Sequence, residues 1–142
     1  MAELFKRILC PVDTDDVCLP ALETARDLAE EHHGDVYLLH VVPLLPSAGV
    51  LFPADTFALM QEQATRFLKE LAREHLEGKT GYRISVAIGD PAAQILESAQ
   101  AMGVGSIVMA THGRKGLARL LLGSVTAQVV QKAPCPVLTL SP

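Results

Sequence analysis

The residues whose types and spacing could do chemistry crowd into one stretch, Ala110-Thr111-His112-Gly113-Arg114-Lys115-Gly116-Leu117-Ala118-Arg119-Leu120-Leu121-Leu122-Gly123-Ser124-Val125. Gly113 and Gly123 carry no side chain that would hold a ligand away, so main-chain N–H groups there can approach an anion closely. Gly123-Ser124 also opens a helical pattern, where unpaired N–H groups and the helix dipole favour phosphate. Arg114, Lys115 and Arg119 add positive charge in a chain whose net charge is −4. Each such effect is worth roughly 0.3–1 kcal/mol at an exposed site. Several must therefore converge to hold a polyphosphate. The competing reading is structural, with glycines that serve only the turn and basic side chains that are only solvated.

The stretch is not a P-loop, because no lysine precedes the helix-opening Ser124 in the GxxxxGK[ST] pattern, and it is not the GxGxxG dinucleotide fingerprint. Ser124 lacks the GxSxG elbow of a nucleophile. His112 has no second His or Cys at ligand spacing and reads as a loop contact. Elsewhere, Asp13 follows an apolar run in Val12-Asp13-Thr14-Asp15. It suits a ribose hydroxyl or a phosphate-bound Mg²⁺, or else a turn or cap shared with Asp15 and Asp16. His32 and His33 fall in the last turn of a helical pattern, where imidazolium favours the dipole. The three cysteines, Cys10, Cys18 and Cys135, have no CxxC spacing; Cys10 and Cys135 lie in or beside apolar runs and read as buried thiols. Without a strong base, a carboxylate pair or a metal cluster in view, any hydrolysis of a bound polyphosphate should be slow, and an enzyme is not expected.

The elements that must position these residues are legible from hydrophobic periodicity. Apolar runs at 8–12, 36–42, 82–88, 107–110 and 137–140 alternate with helical patterns. The first helix carries Leu22, Ala25, Leu28 and Ala29, with Pro20 in its first turn and Gly34 as a left-handed stop. The second carries a stripe of Phe57, Met60, Ala64, Phe67, Leu68 and Leu71, which reads as core, with Asp55 as N-cap and Gly78 at its end. The third opens on Asp90-Pro91, a capping acid with proline behind it, and closes on Gly103. The fourth opens at Gly123-Ser124 and stops before Pro134. Repeated strand–helix alternation predicts an α/β fold, an open parallel five-stranded sheet with helices on both faces, Rossmann-like in layout.

Centre and edge can be separated too. The runs at 8–12, 36–42 and 107–110 are apolar almost throughout, as strands covered on both faces must be. The run at 82–88 alternates, which marks an edge. Val137–Leu140 is short, follows Pro136, and takes the other edge. Right-handed crossovers then give the order 3-2-1-4-5. Ligands of such sheets bind beyond the carboxyl ends of the strands where the winding reverses, here between the first and fourth strands. Asp13 and the 110–125 stretch both emerge there. The segment 42–53, with three prolines and a glycine, leaves the second strand beside that point and suits a lid or a partner contact.

With 142 residues, 49% hydrophobic and 20% charged, the chain suits a single domain, 1–142, able to bury a proper core. The acidic balance gives no reason to expect nucleic acid, and no apolar run reaches the roughly 20 residues of a membrane span. The opening Met-Ala-Glu-Leu-Phe-Lys-Arg has no signal-peptide core, so a cytoplasmic location is expected.

In several places the sequence resembles the universal stress protein family: Ile8-Leu9-Cys10-Pro11-Val12-Asp13, Leu39-His40-Val41-Val42, Gly89-Asp90-Pro91, and Ala133-Pro134-Cys135-Pro136-Val137-Leu138. The nucleotide-binding branch of that family carries G-x2-G-x9-G-[ST]. Gly113, Gly123 and Ser124 match it, and Ala110 stands in place of the first glycine. The resemblance implies an adenine nucleotide, ATP with or without Mg²⁺, as ligand. Pro11, Val12 and Asp13 would line the adenosine side, with the backbone of Val41 against adenine. Met109 and Ala110 would lie near the ribose, and Gly113, Arg114, Gly123, Ser124 and Val125 would surround the phosphates; Thr14 and His112 count among the nucleotide-binding residues as well. It implies a stress-response sensor or regulator and a homodimer. A free edge at Val137–Leu140 agrees with a homodimer, since unpaired backbone groups need cover. The alternatives are a dimeric interaction module of the same fold that holds no nucleotide, which Ala110 favours, and a binder of AMP or cyclic AMP.

Overall fold

The computed structural model describes residues 2–13, 18–44, 54–111 and 122–141. Its five strands are β1 (Arg7–Pro11), β2 (Asp35–Pro43), β3 (Gly81–Gly89), β4 (Ser106–Ala110) and β5 (Val137–Leu140). They form one sheet, all parallel, in the expected order β3-β2-β1-β4-β5. Apolar continuity places the inner strands: Ile8, Leu9 and Cys10 of β1 and Ile107 and Val108 of β4 are fully buried. On β3 the alternation resolves as it should at an edge. Tyr82, Ile84 and Val86 pack on one core cluster while Ala87 packs on the other.

The sheet divides the core in two. On one face lie α1 (Leu19–His32) and α2 (Ala54–His75), with Ala21, Leu22, Ala25, Ala29, Leu68 and Ala72 against Ile8, Cys10, Val36 and Leu38. On the other lie α3 (Pro91–Met102) and α4 (Ser124–Lys132), with Ala92, Ile95, Ala99 and Val129 against Leu9, Tyr37, Leu39 and Ile107. The alanines let helix backbones approach the sheet closely. A fully buried aliphatic side chain contributes roughly 1.5–3 kcal/mol, whereas an exposed helix pair such as Arg66–Glu62 contributes about 0.3–0.5 kcal/mol. The two apolar layers therefore decide the stability.

Helix ends are set by local chemistry. The Asp90 side chain accepts a hydrogen bond from Ala93 N–H at 3.0 Å, with Pro91 in the first turn, and Gly103 caps the other end of α3 at φ 59°. Pro20 lies in the first turn of α1. Four details differ from the sequence reading. The left-handed residue after α1 is His33, at φ 56°, and not Gly34. Gly34 is needed for another reason: a Cβ there would run into Phe5 O and come within 2.8 Å of Lys6 Cα. Asp55 is inside the first turn of α2, because the helix begins one residue earlier, and the helix ends at His75, ahead of Gly78. Met60 of the expected core stripe is exposed, along with Leu59, because the first turns of α2 extend past the cover of the sheet.

The amino end of the sheet is closed by a short 3-10 turn, Ala2–Phe5. Asp35 N–H donates to Lys6 O and Gly105 N–H to Arg7 O, each at 2.9 Å, and the Ser106 hydroxyl donates to Leu4 O at 2.7 Å. At the carboxyl end, Leu44 N–H donates to Gly89 O at 3.2 Å. Most of the segment expected as a lid, 45–53, lies outside the described residues.

Candidate functional site

The paired register of β1 with β4 consists of Ile8↔Ser106 and Leu9↔Ile107, and stops before either strand ends. Beyond it, Pro11-Val12-Asp13 leaves β1 and Met109-Ala110 completes β4, side by side at the carboxyl edge of the sheet. The winding reverses between these strands, which is where open parallel sheets hold their ligands. Thr14, His112, Gly113 and Arg114, with Lys115 and Arg119, lie outside the described residues. Pro11, Val12, Asp13, Val41, Met109, Ala110, Gly123, Ser124 and Val125 are all described, and the topology brings every one of them to this edge.

Val12 is buried, and its N–H donates to Leu39 O at 2.8 Å, the last backbone-to-backbone bond found between this chain crossing and β2 among the described residues. Along a parallel strand, successive residues direct their backbone groups alternately to the two neighbours. Leu39 bonds toward β1, so Val41, two residues on, turns its N–H and C=O to the same side, beyond the last paired residue of β1. A donor and an acceptor of one residue are thus presented together on the rim. Asp13 is exposed, and its carbonyl accepts a weak bond from the Cys18 thiol at 3.7 Å.

The fourth helix begins with Gly123 as N-cap, in extended conformation at φ −62° and ψ 159°, and no side chain caps it. The N–H groups of its first turn therefore have no intrahelical acceptor. This contrasts with α3, whose first turn is closed by the Asp90 carboxylate. The helix start is tied to the end of β4 and not left to swing. Gly123 N–H donates to Thr111 O at 2.8 Å, and the buried Thr126 hydroxyl donates to Ala110 O at 3.0 Å. Thr111 N–H in turn donates to Leu140 O at 2.9 Å. The chain that leaves β4 at Thr111 thus returns to the same point at Gly123.

Two polar side chains at this edge were not singled out by sequence reasoning. Thr126 is one. The other is His40, buried on β2, whose Nδ1 lies 2.9 Å from Val12 O. A carbonyl oxygen can only accept, so Nδ1 carries the proton. A lone histidine inside an apolar strand was the available signal. For Thr126 the signal was a hydroxyl in the first turn of a helix.

Among the described residues, no group of three or more His, Cys, Asp or Glu side chains is gathered as a metal ion would require. Nor is any helix of the described residues long and apolar enough to cross a membrane. Burial, with a smaller contribution from Cys18, pushes the Cys10 thiol far above its ordinary value, and burial raises Cys135 less. Cys10 is thereby protected from ionisation, whereas Cys135 is half-buried. Among the described residues, the chemistry on offer at the site is main-chain hydrogen bonding, a helix terminus and the Asp13 carboxylate.

Comparison with known proteins agrees with this architecture. The Universal stress protein family matches residues 4–141. The chain is 36% identical over 140 residues to universal stress protein MJ0531 of Methanocaldococcus jannaschii, covering 95% of this chain and 81% of that one. The solved structure of MJ0577, from the same organism, superposes with a TM-score of 0.85 at 27% identity, covering 98% of this chain and 97% of that one. Two further members share the fold at TM-scores of 0.64 and 0.63, with 20% and 21% identity; one was solved in complex with cAMP, the other, from Archaeoglobus fulgidus, with dAMP. The match spans both lips of the crevice and every strand of the sheet, and on that ground the chain belongs to the universal stress protein family.

Proposed function

We propose that the protein binds an adenine nucleotide, ATP foremost, between the ends of β1 and β4 and acts as a stress-response sensor or regulator in the cytoplasm. The observation that carries this reading is the uncapped first turn of α4, tied to Ala110 and Thr111 beside the Asp13 crossing. Phosphate oxygens would accept from its N–H groups, aided by the dipole. The N–H and C=O of Val41 suit adenine, whose ring edge offers an acceptor beside an amino donor. Pro11, Val12, Asp13 and Thr14 would line the adenosine, Met109 and Ala110 the ribose. His112, Gly113, Arg114, Gly123, Ser124 and Val125 would surround the phosphates, and Asp13 would hold a phosphate-bound Mg²⁺. The relatives solved with cAMP and dAMP support an adenine nucleotide as the ligand class. With main-chain donors and no activated nucleophile assigned, the site fits retention of ATP with at most slow hydrolysis.

A homodimer is part of the proposal. β5 pairs with β4 on one side only, and Leu138 on it and Val130 on α4 are exposed. A second copy would cover both the backbone edge and these side chains. The other reading, a dimeric module without nucleotide, has Ala110 in its favour, since the family's nucleotide-binding pattern has glycine there. Two measurements test the proposal: analysis of small molecules released from the denatured purified protein, and calorimetric titration with ATP, AMP and cyclic AMP, with and without Mg²⁺. Bound ATP, or heat of binding strongest for ATP, is expected. No released nucleotide and no heat with any of the three would overturn it in favour of the nucleotide-free module.

A further inference from the structure

At the two lips of the crevice, a buried side chain has taken hold of a strand-end carbonyl. His40 Nδ1–H donates to Val12 O at 2.9 Å, and Thr126 Oγ–H donates to Ala110 O at 3.0 Å. Both donors are among the few polar side chains buried in the described residues. Neither is required by a ladder or a cap: His40 reaches across from β2, and Thr126 reaches back from α4. We propose that His40 and Thr126 are positioning residues of the nucleotide site, His40 setting the adenosine lip and Thr126 the phosphate lip. The inference rests on the nucleotide reading above.

The physical argument concerns the points where the ladders end. Past Leu9 and Ile107 the register of β1 with β4 no longer fixes either chain, and past Pro11 that of β1 with β2 does not either. Val12 then has one backbone bond to β2, through its N–H to Leu39 O. The His40 bond adds a second, to the carbonyl. Two bonds from one peptide segment to one strand fix its rotation more closely than one bond does. The direction in which Asp13 departs is set by that rotation. On the other lip, Val129 packs α4 on the core, and Gly123 N–H to Thr111 O ties its start to the end of β4 at one point. The Thr126 hydroxyl supplies the second point and so aims the open N–H groups of the first turn. A buried carbonyl left without its donor also carries a desolvation cost, which would favour rotation out of place.

The test compares paired variants. His40→Leu removes the donor, and His40→Asn returns an N–H at nearly the Nδ1 position. Thr126→Val removes the hydroxyl at constant shape, and Thr126→Ser returns it. Affinities for adenosine and for ATP are measured by calorimetry, with thermal melting to record stability. His40→Leu is expected to weaken adenosine and ATP alike by about fivefold, with His40→Asn recovering most of it. Thr126→Val is expected to weaken ATP by about fivefold and leave adenosine unchanged, with Thr126→Ser recovering ATP. Equal losses for both ligands in Thr126→Val, or losses in either pair that follow melting temperature and ignore the restored donor, would overturn the proposal.

Should the parent protein bind neither ligand, the nucleotide reading fails, and positioning is judged in the free protein by amide hydrogen exchange. Faster exchange at Val12 in His40→Leu than in His40→Asn, and at Gly123 in Thr126→Val than in Thr126→Ser, supports it, since these two amides are the hydrogen-bonded ones at the lips. Equal rates within each pair refute it.

Discussion

Replacing Gly123 by Asp should make the protein more stable and abolish tight ATP binding. At φ −62° and ψ 159°, the backbone of Gly123 is already one that an aspartate N-cap adopts, close to that of Asp90 at φ −70° and ψ 123°. The new carboxylate can take Thr126 N–H as Asp90 takes Ala93 N–H. Three gains follow: a few tenths of a kcal/mol from the better cap, roughly 0.3–1 from the dipole, and about 0.4–1 from a less flexible unfolded chain. Together they come to about 1–2 kcal/mol, a rise in Tm of roughly 3–6 °C for a chain of this size. The same carboxylate removes a charge-assisted hydrogen bond from the phosphates, worth about 1.5–3 kcal/mol, and repels them besides. ATP should weaken by about a hundredfold or more. Scanning calorimetry gives the first number and titration calorimetry the second. Asp90→Gly is the mirror control, since it opens a helix start that follows the edge strand β3, two strands over from β1. It should lower stability by a few tenths of a kcal/mol to about 1 kcal/mol and leave ATP alone. Unchanged ATP affinity in Gly123→Asp, at any stability, would refute the placement of phosphate at α4.

Other expected outcomes test different layers. Leu138→Glu puts charge on an exposed position of β5 and should shift a dimer toward monomer in sedimentation, with a change within about 0.5 kcal/mol in the stability of the monomer itself. Cys10 has a folded-state value raised above its ordinary 9.0, so its contribution is complete below that pH and declines as pH rises through it. Urea melts should lose about 1.4 kcal/mol per pH unit on the alkaline side, and Cys10→Ala should flatten that slope. Gly34→Ala must push Phe5 and Lys6 aside and should cost about 1–3 kcal/mol in the same melts, an overpacking loss.

The sheet order was legible because burial writes itself into composition. A strand covered on both faces, like β1, has no room for polar residues, while β3 shows its edge by alternation from Tyr82 to Ile88. The caps at Asp90, Gly103 and Gly123 were legible for a similar reason, since each is set by its immediate neighbours. What escaped depends on distant contacts. Gly34 reads as a helix stop until Phe5 and Lys6 are seen against it, and the left-handed turn falls to His33. Met60 sits in phase with the core stripe of α2 but lies where the sheet offers no cover. At the site, the strand-end and helix-start residues could be found from position along the chain. His40 and Thr126 could not, because their partners are a turn 28 residues away and a strand end 16 residues away.

The seal at the opposite end of the sheet has a practical consequence. The 3-10 turn, Gly34 and Gly105 knit the chain's opening residues into a tight hem, with Lys6, Arg7 and Leu4 carbonyls all engaged. The strand that leads from this hem to the crevice is five residues long, about 17 Å at the usual rise. A dye or surface tether placed on exposed Glu3 would therefore stand a full strand length from any bound nucleotide. Trimming the first few residues would not be neutral: it would unpick the hem and strip the acceptors from Ser106 and Asp35.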